Sequence, residues 1–240
     1  MLQSSLQNKK VLITAGPTRE AIDPVRYISN HSSGKMGYAI AESFLQQGAI
    51  VYLVSGPVCM HILPQPNLKV VQVTSASDMY LACCRFFEEA EIAVFAAAVA
   101  DYRPEKIAMQ KIKKSEDSFE IKMVKNIDIA YEFGCIKTAD QLSVGFALET
   151  NDEVKHAIGK LNRKNFDMVI LNSMNDANAG FGYDTNKINI ITRDFIEKEF
   201  PLKSKKEVAE DIVTAIADMM EDRMQDFADG NVFEYENMYR

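Results

Sequence analysis

Short apolar, β-branched runs recur along the chain, separated by stretches with helical spacing. Val11 to Thr14, Ile50 to Val54, Val70 to Val73 and Ile92 to Ala97 read as buried strands, as do Val144 to Ala147, Met168 to Leu171 and Ile188 to Thr192. Between them, Lys35 to Gln47 has the spacing of an amphipathic helix and ends at Gly48, a natural residue for a helix C-terminus. Ser75 to Ala90 opens with Ser75 and Asp78 in capping-box spacing. Asp152 to Lys164 and Lys205 to Arg223 complete the helical set. Alternation of this kind predicts an α/β fold with a doubly wound, mostly parallel, Rossmann-like sheet and right-handed crossovers. One segment breaks the rhythm. From Lys111 to Val124, Ile112, Phe119, Ile121 and Met123 alternate with polar residues around Ser115-Glu116-Asp117-Ser118, which predicts a β-hairpin arm, at about 104–126, projecting from the sheet. Residues 1–225 are expected to form a single domain. Residues 226–240 form an acidic tail, the stretch from Met220 onward holding six acidic residues against two arginines.

Several loops at predicted strand ends carry chemistry. The first strand runs into Gly16-Pro17-Thr18-Arg19, where a doubly wound fold receives phosphates, although a lone glycine there also makes an ordinary turn. Ser29-Asn30-His31-Ser32-Ser33-Gly34-Lys35-Met36-Gly37 leads into a helix. Its glycines and serines, through Ser32, Gly34 and Gly37, offer backbone and hydroxyl donors at the positive end of the helix dipole, or else an ordinary cap. A Walker loop is excluded, because Ser29 stands where glycine is needed and Met36 where Ser or Thr is needed. After the fourth strand, Ala97 and Ala98 let a ligand lie against the main chain and Asp101 sits at the sheet's carboxyl edge, either at a ligand or capping a turn. Tyr102 and Lys106 have reductase-like spacing, but Pro104 between them disfavours the helix that spacing requires.

Lysines supply the counter-charge for an anionic ligand. Lys111, Lys113 and Lys114 lie on the arm, with Lys111 and Lys113 on one face of an extended chain. Lys160 and Lys164 share a helix face at i, i+4. Both groups read equally as solvated surface. Phe146 at a strand end stacks on a base or fills the core.

Composition narrows the classes. With 47% hydrophobic and 25% charged residues the chain is an ordinary globular one, and a net charge of −7 argues against a nucleic-acid or anionic-membrane binder. The four cysteines and three histidines show no metal-ligand spacing, and Cys83 and Cys84 are adjacent. The longest apolar run, Ile92 to Ala100, is far short of the ~20 residues of a membrane helix. No export signal is visible at the start, so the expected location is the cytoplasm.

Together these segments resemble the phosphopantothenoylcysteine synthetase (phosphopantothenate–cysteine ligase) family, in its stand-alone bacterial CTP-dependent form. The resemblance is carried by Gly16 to Glu20, by Asp23 to Gly37, by Ala97 to Arg103, by Lys111 to Lys114, by Lys122 to Asn126 and by Gly145 to Ala147. It implies a ligase that activates the carboxylate of 4′-phosphopantothenate with CTP and Mg²⁺, and then couples cysteine, releasing CMP. It implies a triphosphate cradle at Gly16, Ser32, Gly34 and Gly37. Nucleotide contacts would come from Asp101, Lys111, Ile127, Asp128, Ile129, Ala130, Phe146, Lys160 and Lys164. The substrate pocket would comprise Asn30, Ala97, Ala98 and Asp101, with Arg26, Asn30 and Lys111 in catalytic roles. Asn30 would donate to the oxyanion of the second step, and Lys111 would ride on a flap. Ile127 stands where proline is common, which leaves that base contact open. The resemblance also implies a homodimer. With about ten residues before the first strand, it further implies no flavin on this chain and a separate flavin decarboxylase taking the product. Metal ligands are not indicated. An NAD(P)-dependent reductase and a non-catalytic nucleotide- or flavin-binding regulator are the competing readings.

Overall fold

The apolar runs become strands because each is wanted on both faces. In the first strand Val11, Ile13 and Ala15 enter one core and Leu12 the other, the two-residue alternation of a sheet covered on both sides. The same division recurs in the last parallel strand, where Met168 and Ile170 face one way and Val169 and Leu171 the other. The structure is a computed structural model and describes residues 4–113, 118–173, 180 and 182–228.

In chain order the elements are β1 (Lys10–Ala15), β2 (Arg19–Ala21), β3 (Tyr27–Ser29), α1 (Lys35–Gln46), β4 (Ile50–Ser55), β5 (Leu68–Gln72), α2 (Ala76–Cys84), β6 (Ile92–Phe95), β7 (Tyr102–Pro104) and β8 (Met123–Lys125). There follow α3 (Ile129–Ile136), β9 (Leu142–Glu149), α4 (Glu153–Arg163), β10 (Met168–Ser173), β11 (Thr185–Thr192), β12 (Glu197–Ser204) and α5 (Lys205–Ala228). Eight strands form one sheet in the order β12-β11-β10-β9-β6-β1-β4-β5. The six from β10 to β5 are parallel, whereas β11 and β12 are antiparallel additions at one edge. Helices α1 and α5 cover one face, and α2, α3 and α4 the other. The α/β, mostly parallel sheet expected from the sequence is the fold observed.

Local signals act as read. Ser75 accepts from the Asp78 amide and Asp78 accepts from the Ser75 amide, closing the capping box of α2. Gly48, just beyond α1, has φ +82°, the left-handed region that glycine enters without cost. The second core is built on Phe133, whose ring meets those of Tyr80, Phe87 and Phe95. The arm's ladder is shorter than its alternation predicts. Among the described residues, antiparallel pairing joins Tyr102–Pro104 to Met123–Lys125, and one further backbone bond runs from the Glu105 amide to Lys122 O at 2.9 Å. Lys114 and Ser115-Glu116-Asp117 lie outside the described residues, as do residues 229–240 of the tail.

Candidate active site

The sheet order reverses between β1 and β6, since β4 and β5 build outward from one and β9 and β10 from the other. A crevice opens at the carboxyl ends of strands around such a point. Backbone bonds fix its floor. Gly16 accepts at its carbonyl from the Ala98 amide (2.9 Å), and the Thr18 amide donates to Ala98 O (3.3 Å). The Thr18 hydroxyl accepts from the Ala100 amide at 3.0 Å. From the other side Asn126 donates through its backbone to Asp101 O (2.8 Å) and through Nδ2 to Ala100 O (2.7 Å). Asn126 ends the Lys122 to Asn126 segment and also lines the cavity above this floor; no role for it was legible in the sequence.

A cavity of about 810 Å³ lies over this floor. Its lining includes Asn30, Ser32, Gly34, Ala97, Ala98 and Asp101 from the loops after β3 and β6, and Gly37 from the first turn of α1. Ile127, Asp128, Ile129 and Ala130 line it at the start of α3, Phe146 on β9, and Lys160 and Lys164 along α4. Phe146 serves both open readings, lining the cavity while packing against the core. Three expected residues are elsewhere. Gly16 lies beneath the floor and serves the turn (φ +72°) rather than the lining. Lys111 is exposed on the arm and is not a lining residue.

Arg26, expected in a catalytic role, is not among the lining residues. Its Nη2 lies 2.6 Å from Asp23 Oδ2 and 3.1 Å from the Ile112 carbonyl, so the guanidinium pairs with Asp23 and ties it to the arm. The buried Asp23 carboxylate accepts from the Val25, Arg26 and Ile112 amides and from Arg26 Nε as well. The Arg26 guanidinium holds the Asp23 carboxyl well below the usual carboxylate range, assisted by the backbone amides, although burial opposes this. The guanidinium also faces the Phe119 ring on the returning limb. Arg26 anchors both limbs of the arm beside Lys111.

Asn30 lines the cavity with its amide turned to the main chain. Its Nδ2 donates to the carbonyls of Ala98 (3.0 Å) and Val99 (3.2 Å). Both partners can only accept, so the amide nitrogen must face them and the remaining polar atom is Oδ1, an acceptor. In this arrangement Asn30 has no hydrogen left for an oxyanion.

The cradle at α1 arises from close approach. A Cβ on Gly37 would fall 2.6 Å from the Ala15 Cβ, so glycine here lets the helix start sit against β1. Gly34, at φ +78°, is the N-cap and offers no side-chain acceptor; the first turn carries no acidic residue. The α1 amides therefore face the cavity at the positive end of a 12-residue helix.

Each lining lysine named so far has a carboxylate beside it. Lys160 Nζ is 2.7 Å from Glu149 Oε1, and Lys164 Nζ is 2.8 Å from Asp128 Oδ1. Asp128 also caps α3 by accepting from the Tyr131 amide. The structure adds lining residues that sequence reasoning missed: Lys35, Lys205, Asn172 and Asn186. Their signal is faint, because Lys35 and Lys205 read only as helix starts. Tyr102 lies in β7 and Lys106 in the bend after it, so the reductase spacing has no helix. Among the described residues no three His, Cys, Asp or Glu groups cluster as a metal cage. Asp101 and Asp128 do line the cavity, a donor set that suits Mg²⁺ carried in by phosphates rather than held by protein alone.

Fold and site thus define a doubly wound α/β protein with a crevice lined by lysines and the start of α1 at its topological switch point. The chain belongs to the family described as DNA/pantothenate metabolism flavoprotein C-terminal domain, which it matches over residues 6–220. It is 46% identical over 214 residues to the coenzyme A biosynthesis bifunctional protein CoaBC of Haemophilus influenzae, covering 89% of this chain and 52% of that protein. It is 47% identical over 214 residues to a cysteine/cysteine sulfinic acid decarboxylase of an unknown prokaryotic organism, covering 89% of this chain and 59% of the relative. The chain therefore spans little more than half the length of these relatives. Among solved structures, the C-terminal domain of a coenzyme A biosynthesis bifunctional protein CoaBC superposes with a TM-score of 0.77 at 40% identity, covering 91% of this chain and 99% of that one.

Proposed function

We propose that the chain is a cytoplasmic phosphopantothenate–cysteine ligase. It would activate 4′-phosphopantothenate with CTP as an acyl-cytidylate and transfer the acyl group to L-cysteine, yielding phosphopantothenoylcysteine, CMP and pyrophosphate. The observation that carries this reading is a crevice in which helix amides and lysines converge on a stretch of bare alanine backbone. The lysines' present partners are carboxylates that phosphates can replace, since charge-assisted bonds to phosphate are at least as strong. Attack of the substrate carboxylate on the α-phosphorus brings anions together, so Lys160, Lys164 and the α1 amides must offset that repulsion. Mg²⁺ bound to the triphosphate would neutralise further phosphate charge, with Asp101 and Asp128 as its protein ligands.

Asn30 acts in the second half. Its amide hydrogens hold Ala98 and Val99 in place, and its Oδ1 can accept from the cysteine amine. Lys111 meets the triphosphate only when the arm folds over the crevice, a closure that would also keep water from the acyl-nucleotide. A homodimer fits the exposed apolar residues around the arm, Val25, Tyr27, Ile107, Met109 and Phe119.

The test is incubation of the chain with phosphopantothenate, cysteine and each nucleoside triphosphate in turn. CMP and phosphopantothenoylcysteine are expected with CTP. AMP in place of CMP would correct the nucleotide. Loss of carbon dioxide from cysteine or cysteine sulfinic acid would instead favour the activity named for one relative.

A further inference from the structure

We infer that Lys35 and Lys205 form a subsite for the terminal phosphates of the nucleotide, the part that leaves as pyrophosphate. The inference rests on the ligase reading and adds two residues to it.

Both lysines line the cavity, one as the first residue of α1 and the other as the first of α5. Both are tied to one short segment. Lys35 Nζ lies 2.5 Å from Asp184 Oδ1, Lys205 Nζ donates to Gly180 O at 3.0 Å, and the Lys205 amide donates to Asp184 O at 2.9 Å. Among the described residues the two cations thus share the Asp184 carboxylate, and that side chain is 86% exposed. An exposed carboxylate is weakly held and readily exchanged. Beside them, Asn186 is buried and donates to Asn172 Oδ1 at 3.2 Å, making an amide wall next to the lysines.

A half-buried cation next to another cation costs free energy unless an anion joins them. Burial lowers the Lys205 pKa, and the Lys35 charge lowers it further, against the weaker pull of Asp184. The uncapped α1 N-terminus adds positive potential at the same place. Lys160 and Lys164 project from a different helix, each with its own carboxylate. The crevice therefore has two separate basic groups. One lies beside the residues assigned to the nucleoside and the other beside the α1 amides, an arrangement that suits an extended polyphosphate.

Calorimetric titration of the chain with inorganic tripolyphosphate, and separately with CMP, tests the assignment without turnover. Lys205→Gln and Lys35→Gln should each weaken tripolyphosphate binding about tenfold, the contribution of one charge-assisted hydrogen bond. CMP affinity should be unchanged, and Lys205→Arg should restore most of the loss. Thermal unfolding of each variant identifies any that is merely destabilised, and the other lysine then decides. Wild-type affinity for tripolyphosphate in both glutamine variants would overturn the subsite. So would parallel losses for CMP, or no tripolyphosphate binding by the unaltered chain. Failure of cysteine coupling would count against the ligase reading alone, because these titrations involve no reaction.

Discussion

The two ends of the central sheet use the same ingredients to opposite effect. At the amino ends of β9 and β10, Asp167 is only 4% exposed in its side chain and Lys137 only 6%. Asp167 takes Lys137 Nζ at 2.6 Å, Arg223 Nη2 at 2.6 Å and the Ser143 amide at 2.7 Å, with Arg193 Nε 3.6 Å away. Lys137 also donates to Asn165 O and Ser143 Oγ. At the carboxyl ends, two cavity lysines pair with partners that reach solvent, Lys164 with Asp128, 44% exposed, and Lys35 with Asp184, 86% exposed, whereas Lys160 pairs with the mostly buried Glu149. Helix α5 joins the two ends. It starts at Lys205 in the cavity and carries Arg223 to the closed cluster, about 27 Å along its axis. A closed network around a buried carboxylate fixes structure, whereas a half-open one leaves cations available to a ligand.

Breaking the closed end should have the largest effect on stability. Asp167→Ala leaves Lys137 and Arg223 without their carboxylate and should cost about 3–5 kcal/mol in urea unfolding. Nucleotide affinity of the folded fraction should be retained. Lys164→Gln at the open end should do the reverse. It should lower kcat/KM for CTP by about 10–100-fold, the range of a charge-assisted bond, and move stability by less than about 1 kcal/mol.

The closed end should also set a pH dependence. Burial holds the Lys137 pKa at about 8 against an ordinary 10.5, although Asp167 pulls it upward; Arg193 and Arg223 push it down further. Between those values the unfolded chain binds more protons than the folded one, so Lys137 makes stability rise with pH across that window. Lys137→Met should abolish that rise in unfolding curves taken from pH 8 to 10.5. A rise that survives the substitution would assign it to another group. Asp167 behaves conventionally. Burial raises its pKa, but Lys137 and Arg223 more than offset this, so its stabilisation is present at neutral pH and is lost as acid protonates it. The smallest effect is expected from Asp184→Asn. Releasing Lys35 from an exposed partner should tighten tripolyphosphate binding by roughly two- to fivefold, with unfolding unchanged.

The parallel strands were legible because residues such as Val11, Leu12 and Ile13 are apolar on both faces. β12 was not, because among its residues only Phe200 is buried, in a run of Glu, Lys and Pro at the sheet edge. Helix α3 also escaped notice, since eight residues leave little room for a helical period. In the site, Ser32, Gly34 and Gly37 could be placed because small residues before a helix have few other uses. Lys205 could not, because its nearness to Lys35 depends on α5 returning to the same face of the sheet as α1. The partners of Arg26 were illegible for a related reason. A sequence identifies a guanidinium but not the Asp23 carboxylate and Ile112 carbonyl that consume it.

The most direct test is whether the two half-reactions separate. The chain, mixed with phosphopantothenate, CTP and Mg²⁺ but no cysteine, should release about one pyrophosphate per site and retain the cytidylate. Cysteine added afterwards should release CMP and form phosphopantothenoylcysteine. Pyrophosphate release that requires cysteine, or none under either condition, would contradict the account.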